Sequence, residues 1–281
     1  MKKILLIIFI IILTSKAFSQ SGFGKFDDDL KVRFDKPTIE LSYGVSQIKL
    51  GYSDMNISDA GMFEVKLGFT EEKTSKYDKQ VLKYKNRFLF LSNASDQNLS
   101  KSQSTSNIDN TMWRFGLGNK SGYGIHLGSV SILPYNSGSF NWSEFNYHKN
   151  ESADESYYSA LDDFAGTFRF GTTTEAGINI QLFNGVSIEP KYELSDIYPR
   201  HLFFENMTSL LIEAIGLEMI GQFSNAIMKN SPVVGSFVNF ILKNAYEFGY
   251  YQLKKENMNW PFTSAAPLRY GTFKLGMSFI F

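Results

Sequence analysis

The residues of this 281-residue chain that could do chemistry are few in kind. It has three histidines and no cysteine, which removes thiolate nucleophiles, thiolate metal sites and disulfides. A serine nucleophile needs an adjacent base, and His126, His148 and His201 are the imidazoles on offer. His148 stands in Tyr147-His148-Lys149-Asn150-Glu151-Ser152, and His201 follows Tyr198-Pro199-Arg200 with no serine within two residues. Glu151, Asp154, Glu155, Asp162 and Asp163 surround Tyr157 and Tyr158. Carboxylates suit a hard cation, but this spacing forms no EF-hand or other tight metal loop, so a solvated loop and no metal is expected. No glycine-rich phosphate loop and no zinc-spaced His/Glu set occurs, and no cofactor is implied. Lys plus Arg number 28 and Asp plus Glu number 28, so no bulk charge favours nucleic acid.

A larger set of charges is distributed differently, at alternate positions between apolar residues. Glu40 lies between Ile39 and Leu41, Glu64 and Lys66 flank Val65, and Arg114 separates Trp113 from Phe115. His126, Arg169, Glu175, Glu189, Lys191, Glu193 and Lys274 follow the same rule. Successive side chains of a strand point to opposite faces, so each segment has one oily and one polar face. If the oily faces look outward, all eleven residues line an interior. There they either set the selectivity of a narrow polar pathway or pair with one another and fill it. The interleaved Gly44, Gly68, Gly116, Gly124, Gly128, Gly177 and Gly276 lighten that interior.

The last nine residues carry the alternation furthest. Phe273, Leu275, Met277, Phe279 and Phe281 are apolar, and the chain stops on an aromatic. This run resembles the C-terminal strand of Gram-negative outer-membrane β-barrel proteins, which the barrel-insertion machinery reads. The N-terminus agrees. Lys2 and Lys3 precede a continuous apolar core at 4–13, and Ala17-Phe18-Ser19 forms a cleavage site, so 1–19 reads as a signal peptide. Residues 20–37 read as a flexible periplasmic lead-in and 38–281 as the barrel.

Ten antiparallel strands are expected, within a range of eight to twelve. Arg87 to Leu91 is apolar but alternates poorly, the ninth strand is placed from about Tyr246 to Leu253, and 273–281 is the tenth. Counting back with both termini periplasmic puts short connections at 119–122 and 172–173 on the periplasmic side. It puts 46–61, 93–110, 132–163 and 256–268 outside. The hairpin signal Asn184-Gly185 fits this count badly, since it falls outside. Residues 206–245 break the alternation. Helical periodicity around Leu210, Leu211, Ile215 and Met219, then Ser231 as N-cap and Pro232 at the first helical position, predict an α-helical hairpin. The count puts it on the periplasmic side, as a lumen plug, an interfacial pair or a docking element.

The resemblance implies an outer-membrane location. It implies lipid and the barrel-insertion machinery as partners, with a periplasmic or cell-surface protein as a further one. The leading expectation is a non-enzymatic envelope protein with a restricted lumen and a structural, assembly or adhesion role. The alternatives are a narrow solute channel and a lipid-acting hydrolase. The histidines do not match the His-x-Ser-Asn arrangement of the barrel phospholipases and deacylases, so no catalytic residue is assigned.

Overall fold

A computed structural model describes residues 36–50, 57–75, 78–99, 108–148, 155–183 and 185–281. The signal peptide and most of the lead-in lie outside the described residues. Eight strands close into one antiparallel barrel in sequence order. They are β1 (Lys36–Leu50), β2 (Ala60–Thr74), β3 (Val81–Ser95), β4 (Asp109–Leu127), β5 (Val130–His148), β6 (Arg169–Phe183), β7 (Val186–Ile197) and β8 (Leu268–Ile280). Partners can be followed once around the wall, from Glu40 through Lys66, Phe90, Gly116, Asn141, Gly171, Ile197 and Leu268 to Leu50. The circuit returns to β1 ten residues beyond its start (50 minus 40). With a rise of ~3.3 Å and a strand spacing of ~4.8 Å, that stagger tilts the strands by about 40°.

The expected ten strands become eight for identifiable reasons. The segments read around 113–118 and 123–128 are one 19-residue strand, β4, so 119–122 is wall and not a turn. β5 occupies residues assigned to an external loop. β6 runs through 172–173 without a break, and the residues just before Arg169 belong to the preceding connection. The supposed ninth strand is helix. Eight strands also resolve the Asn184-Gly185 conflict. The connection at 184–185 joins β6 to β7 at the end where β1 begins and β8 stops, which also carries the short links 75–80 and 128–129. Gly185 holds a positive φ of 85°, a backbone state that suits glycine in a tight turn.

Three α-helices are described: α1 (Glu155–Asp162), α2 (Phe203–Asn230) and α3 (Pro232–Leu253). The hairpin predicted at 206–245 is therefore longer at both ends. Pro232 opens α3, while Ser231 takes the N-cap place without a side-chain cap bond. Because the hairpin joins β7 to β8, it leaves the barrel at the long-loop end, opposite the start of β1 and the end of β8, and not on their side as the ten-strand count required. It does not enter the lumen. α3 packs on the outer faces of β3 to β6.

The wall changes character along its height. Through most of β1 the outward residues Ile39, Leu41, Tyr43 and Val45 are apolar and exposed, while the inward Thr38, Glu40, Ser42 and Ser46 are buried. Toward the long-loop end the order reverses: Gln47 and Lys49 face out, and Ile48 and Leu50 face in. β2, β4, β5 and β8 do the same with Met62, Met112, Phe145 and Leu268 inside. These residues form an apolar core at that end, closed over by Tyr158 and Leu161 of α1 and by Phe164. Below the reversal the barrel is oily outside and charged inside. Above it, the packing is that of a water-soluble domain.

Candidate functional site: the filled lumen and the helix-covered wall

The tilt and alternation bring charges from separate strands to one level inside the barrel. Glu40 (β1), Glu64 (β2), Glu175 (β6), Glu189 and Glu193 (both β7) are buried there with Lys66 (β2), Arg114 and Lys120 (both β4), Lys191 (β7) and Lys274 (β8). Five carboxylates therefore meet five cations. Lys274 Nζ donates to Glu193 Oε2 at 2.5 Å and Glu64 Oε1 at 2.8 Å, and lies 3.0 Å from Glu175 Oε2. Arg114 donates to Glu193 Oε1 at 2.5 Å, Glu64 Oε2 at 3.1 Å, Tyr270 Oη at 2.6 Å and Ser92 Oγ at 3.0 Å. Lys66 holds both oxygens of Glu175, at 3.0 and 3.1 Å. Lys120 bonds Glu40 and also Glu189 at 2.6 Å, and Lys191 bonds Glu40. Tyr135 donates to Glu189 and Glu175, and Asn179 to Glu189. Rings cover the cations: Phe88 under Lys66, Phe90 under Arg114 and Tyr135 under Lys120.

Glu64, Glu175 and Glu193 bring carboxylate oxygens within 4.8 Å of one another, a spacing suited to a metal ion. The Lys274 ammonium bonds or abuts all three, so the chain itself supplies the cation at that place.

Of the eleven residues assigned to the interior from sequence, nine enter this network. His126 does not. It is the last inward position of β4 before the turn at 128–129, so it sits exposed at the mouth, with Nδ1 2.8 Å from Ser131 Oγ. That pairing has the form of a base beside a nucleophile, but Ser131 is buried in the wall, where a substrate carbonyl cannot approach it. Arg169 opens β6 at the long-loop end, half-buried and away from the network. His201 lies among rings, with Phe170 at 5.3 Å and Phe203 at 6.3 Å. Lys120 was missed because it fell inside a supposed turn. The inward parity it shares with Arg114 was the signal available. In the C-terminal run Phe273, Leu275, Met277 and Phe281 are exposed, with Phe279 partly so.

A second polar assembly lies on the outside. Asn136 of β5 and Thr174 of β6 point outward, where a lipid-facing wall would carry apolar residues. Glu247 of α3 covers both. Asn136 donates to Glu247 Oε1 at 3.0 Å, and Thr174 donates to Oε2. Higher up, the outward pair Arg269–Asp196, at 2.9 Å, is buried, and Arg269 also donates to the Tyr251 carbonyl at 2.6 Å. The hairpin is thus fastened to the wall by hydrogen bonds at both levels. Replacing Glu247 with Ala leaves buried groups on β5 and β6 unpartnered. We expect it to destabilise hairpin docking by about 1–3 kcal/mol, measured as faster proteolysis within 203–253 while the barrel core stays resistant. Unchanged proteolysis would sink this assignment.

The chain has the architecture of the outer-membrane barrel class: closed, antiparallel, even in strand number, with short turns at one end, long connections at the other and an apolar outer belt. No protein-family profile matches it, and no curated protein matches it in sequence. Among solved structures it is similar to Neisserial surface protein A (NspA), with a TM-score of 0.40 and 7% identity over 87% of this chain and 97% of that one. It is also similar to Ail, the attachment invasion locus protein of Yersinia pestis (TM-score 0.34, 11% identity, 89% and 100% covered). A third is the outer membrane protein OprG from Pseudomonas aeruginosa (TM-score 0.31, 8% identity, 89% and 97% covered). At these scores the likeness carries no inference about what the chain does.

Proposed function

We propose that this chain is an exported Gram-negative outer-membrane protein whose barrel is a filled strut and not a pore. Its role is structural, in envelope assembly or adhesion, and is exerted through its outer surfaces. The observation that carries this reading is the neutral network of ten buried charges spanning the lumen, with an apolar core and α1 above it. An ion entering would have to break several charge-assisted bonds at once, each stronger than a neutral one. The partners that follow are outer-membrane lipid along the belt and the barrel-insertion machinery at the C-terminal run. A cell-surface protein would dock at the long-loop end. Planar-bilayer recording of refolded residues 20–281 is expected to show insertion without conductance. Stable unit steps would overturn the strut reading in favour of a narrow channel.

A further inference from the structure

We infer that the α2–α3 hairpin is embedded in the bilayer beside the barrel, with its outward ridge against lipid acyl chains. The inference rests on the outer-membrane reading of the barrel, and three observations carry it.

The hairpin is packed in the reverse sense to a water-soluble one. Its buried positions are mostly small or polar: Asn206, Ser209 and Ser224 in α2 and Gly235, Ser236, Asn239 and Glu247 in α3, with Met228 and Tyr250 the exceptions. Many of its large apolar residues are exposed. Met207, Leu211, Ile215, Met219 and Phe223 form one stripe along α2 at four-residue steps, with Met219 67% exposed. In water such a helix turns the large residues inward. In lipid there is no reason to hide them, and small residues take the contact so that backbones approach. Gly235 shows that approach, since a Cβ there would lie 2.7 Å from the Met228 backbone nitrogen, and Gly216 makes room for the Tyr246 ring.

The hairpin also lies at the height of the belt. Its lower end is marked by Tyr123, near the short-turn end, donating to Asn225 Oδ1 at 3.3 Å. Its upper end is marked by Tyr251 on Arg269, at the start of β8. Between these marks the hairpin spans the height of the exposed apolar residues of the strands.

Length agrees. α2 has 28 residues and α3 has 22, which at ~1.5 Å per residue is about 42 and 33 Å. The hydrocarbon core of a bilayer is about 30 Å thick. Among the described residues α2 is the one helix long and apolar enough to cross a membrane. Glu218 is the one exposed charge in the middle of α2, and its carboxylate accepts from Gln222 one turn on at 3.1 Å. α3 presents Glu247 to the wall and exposes Val234, Phe237, Ile241 and Phe248, so with the α2 stripe the pair has a mostly apolar outside.

The chain has no cysteine, so single-cysteine variants can each carry one nitroxide without background. Met219→Cys and Phe223→Cys report the hairpin, Leu275→Cys the barrel belt and Lys255→Cys the aqueous end. In reconstituted proteoliposomes, relaxation by oxygen is expected to exceed relaxation by a water-soluble nickel chelate several-fold at 219, 223 and 275. The order should reverse at 255. A lipid-like 275 with a chelate-accessible 219 and 223 would overturn the hairpin inference and leave the barrel reading standing. A chelate-accessible 275 would overturn the barrel reading, and the inference with it. Dipolar broadening at 219 would show a second copy covering the ridge, which also overturns the assignment to lipid.

Discussion

Replacing Lys274 with Met lowers the stability of the folded barrel by about 3–5 kcal/mol, because it leaves Glu64, Glu175 and Glu193 facing one another without their shared cation. The size follows from the site and not from the residue type. An exposed ion pair is worth about 0–1 kcal/mol, but Lys274 is fully buried and links β8 to β2, β6 and β7 through those three carboxylates. Met fills a similar volume and removes the charge alone. Urea unfolding in lipid vesicles, followed by fluorescence of the three tryptophans, measures the loss. Adding Glu193→Gln restores charge balance in the lumen and is expected to recover part of the stability. A Lys274→Met midpoint equal to that of the parent would mean that the network does not hold the barrel together.

The second large effect is on the opposite face of the same strand. Leu275→Arg is expected to cost about 2–4 kcal/mol in lipid, while Leu127→Arg costs about 0–1. Both leucines are more than half exposed, at 56% and 57%, and in a water-soluble barrel both changes would be close to neutral. The difference is depth: Leu275 lies within the run of β8, and Leu127 closes β4 beside the turn. Equal penalties in lipid, or none at either site, would contradict an apolar belt in a bilayer. The same urea titration reads both variants.

The sequence shows its fold clearly only where the solvent on each face is constant. β1, β2 and β8 were legible because lipid-type residues alternate with charged ones over much of their length. β5 was not, for two physical reasons. Its outward Asn136 meets Glu247 of the hairpin, so the oily signal is missing there. Near its far end Phe145 faces in and Glu144 faces out, the reverse phase. β4 was split in two because polar residues at 119–121 read as a turn, although their backbone stays paired with β5. Residues 246–253 read as strand because Tyr246, Phe248 and Tyr250 alternate with other residues and favour extended chain. Tertiary contacts override that preference. Tyr250 donates to the Ser209 carbonyl at 2.6 Å, and Glu247 clasps the wall, both from a helix.

The candidate site was legible as a face but not as a set of partners. Parity alone placed Glu40, Glu64, Lys66 and Lys274 on one side of their strands. That Lys274 meets Glu64 across 210 positions follows from closure of the barrel, which local pattern does not encode. Lys120 needed the correct length of β4.

The reversal of polarity near the long-loop end acts as a waterline. If the barrel sank by one residue pair, Gln47 and Lys49 would enter hydrocarbon. If it rose by one pair, the greasy collar around Val45 would meet water. Displacement either way is opposed, so the protein floats at one draught and the bilayer must fit it. A membrane of unsuitable thickness would have to pucker or swell around the barrel. Molecules with this outline would then gather where the leaflets already match, sorted by thickness without any partner to recognise them.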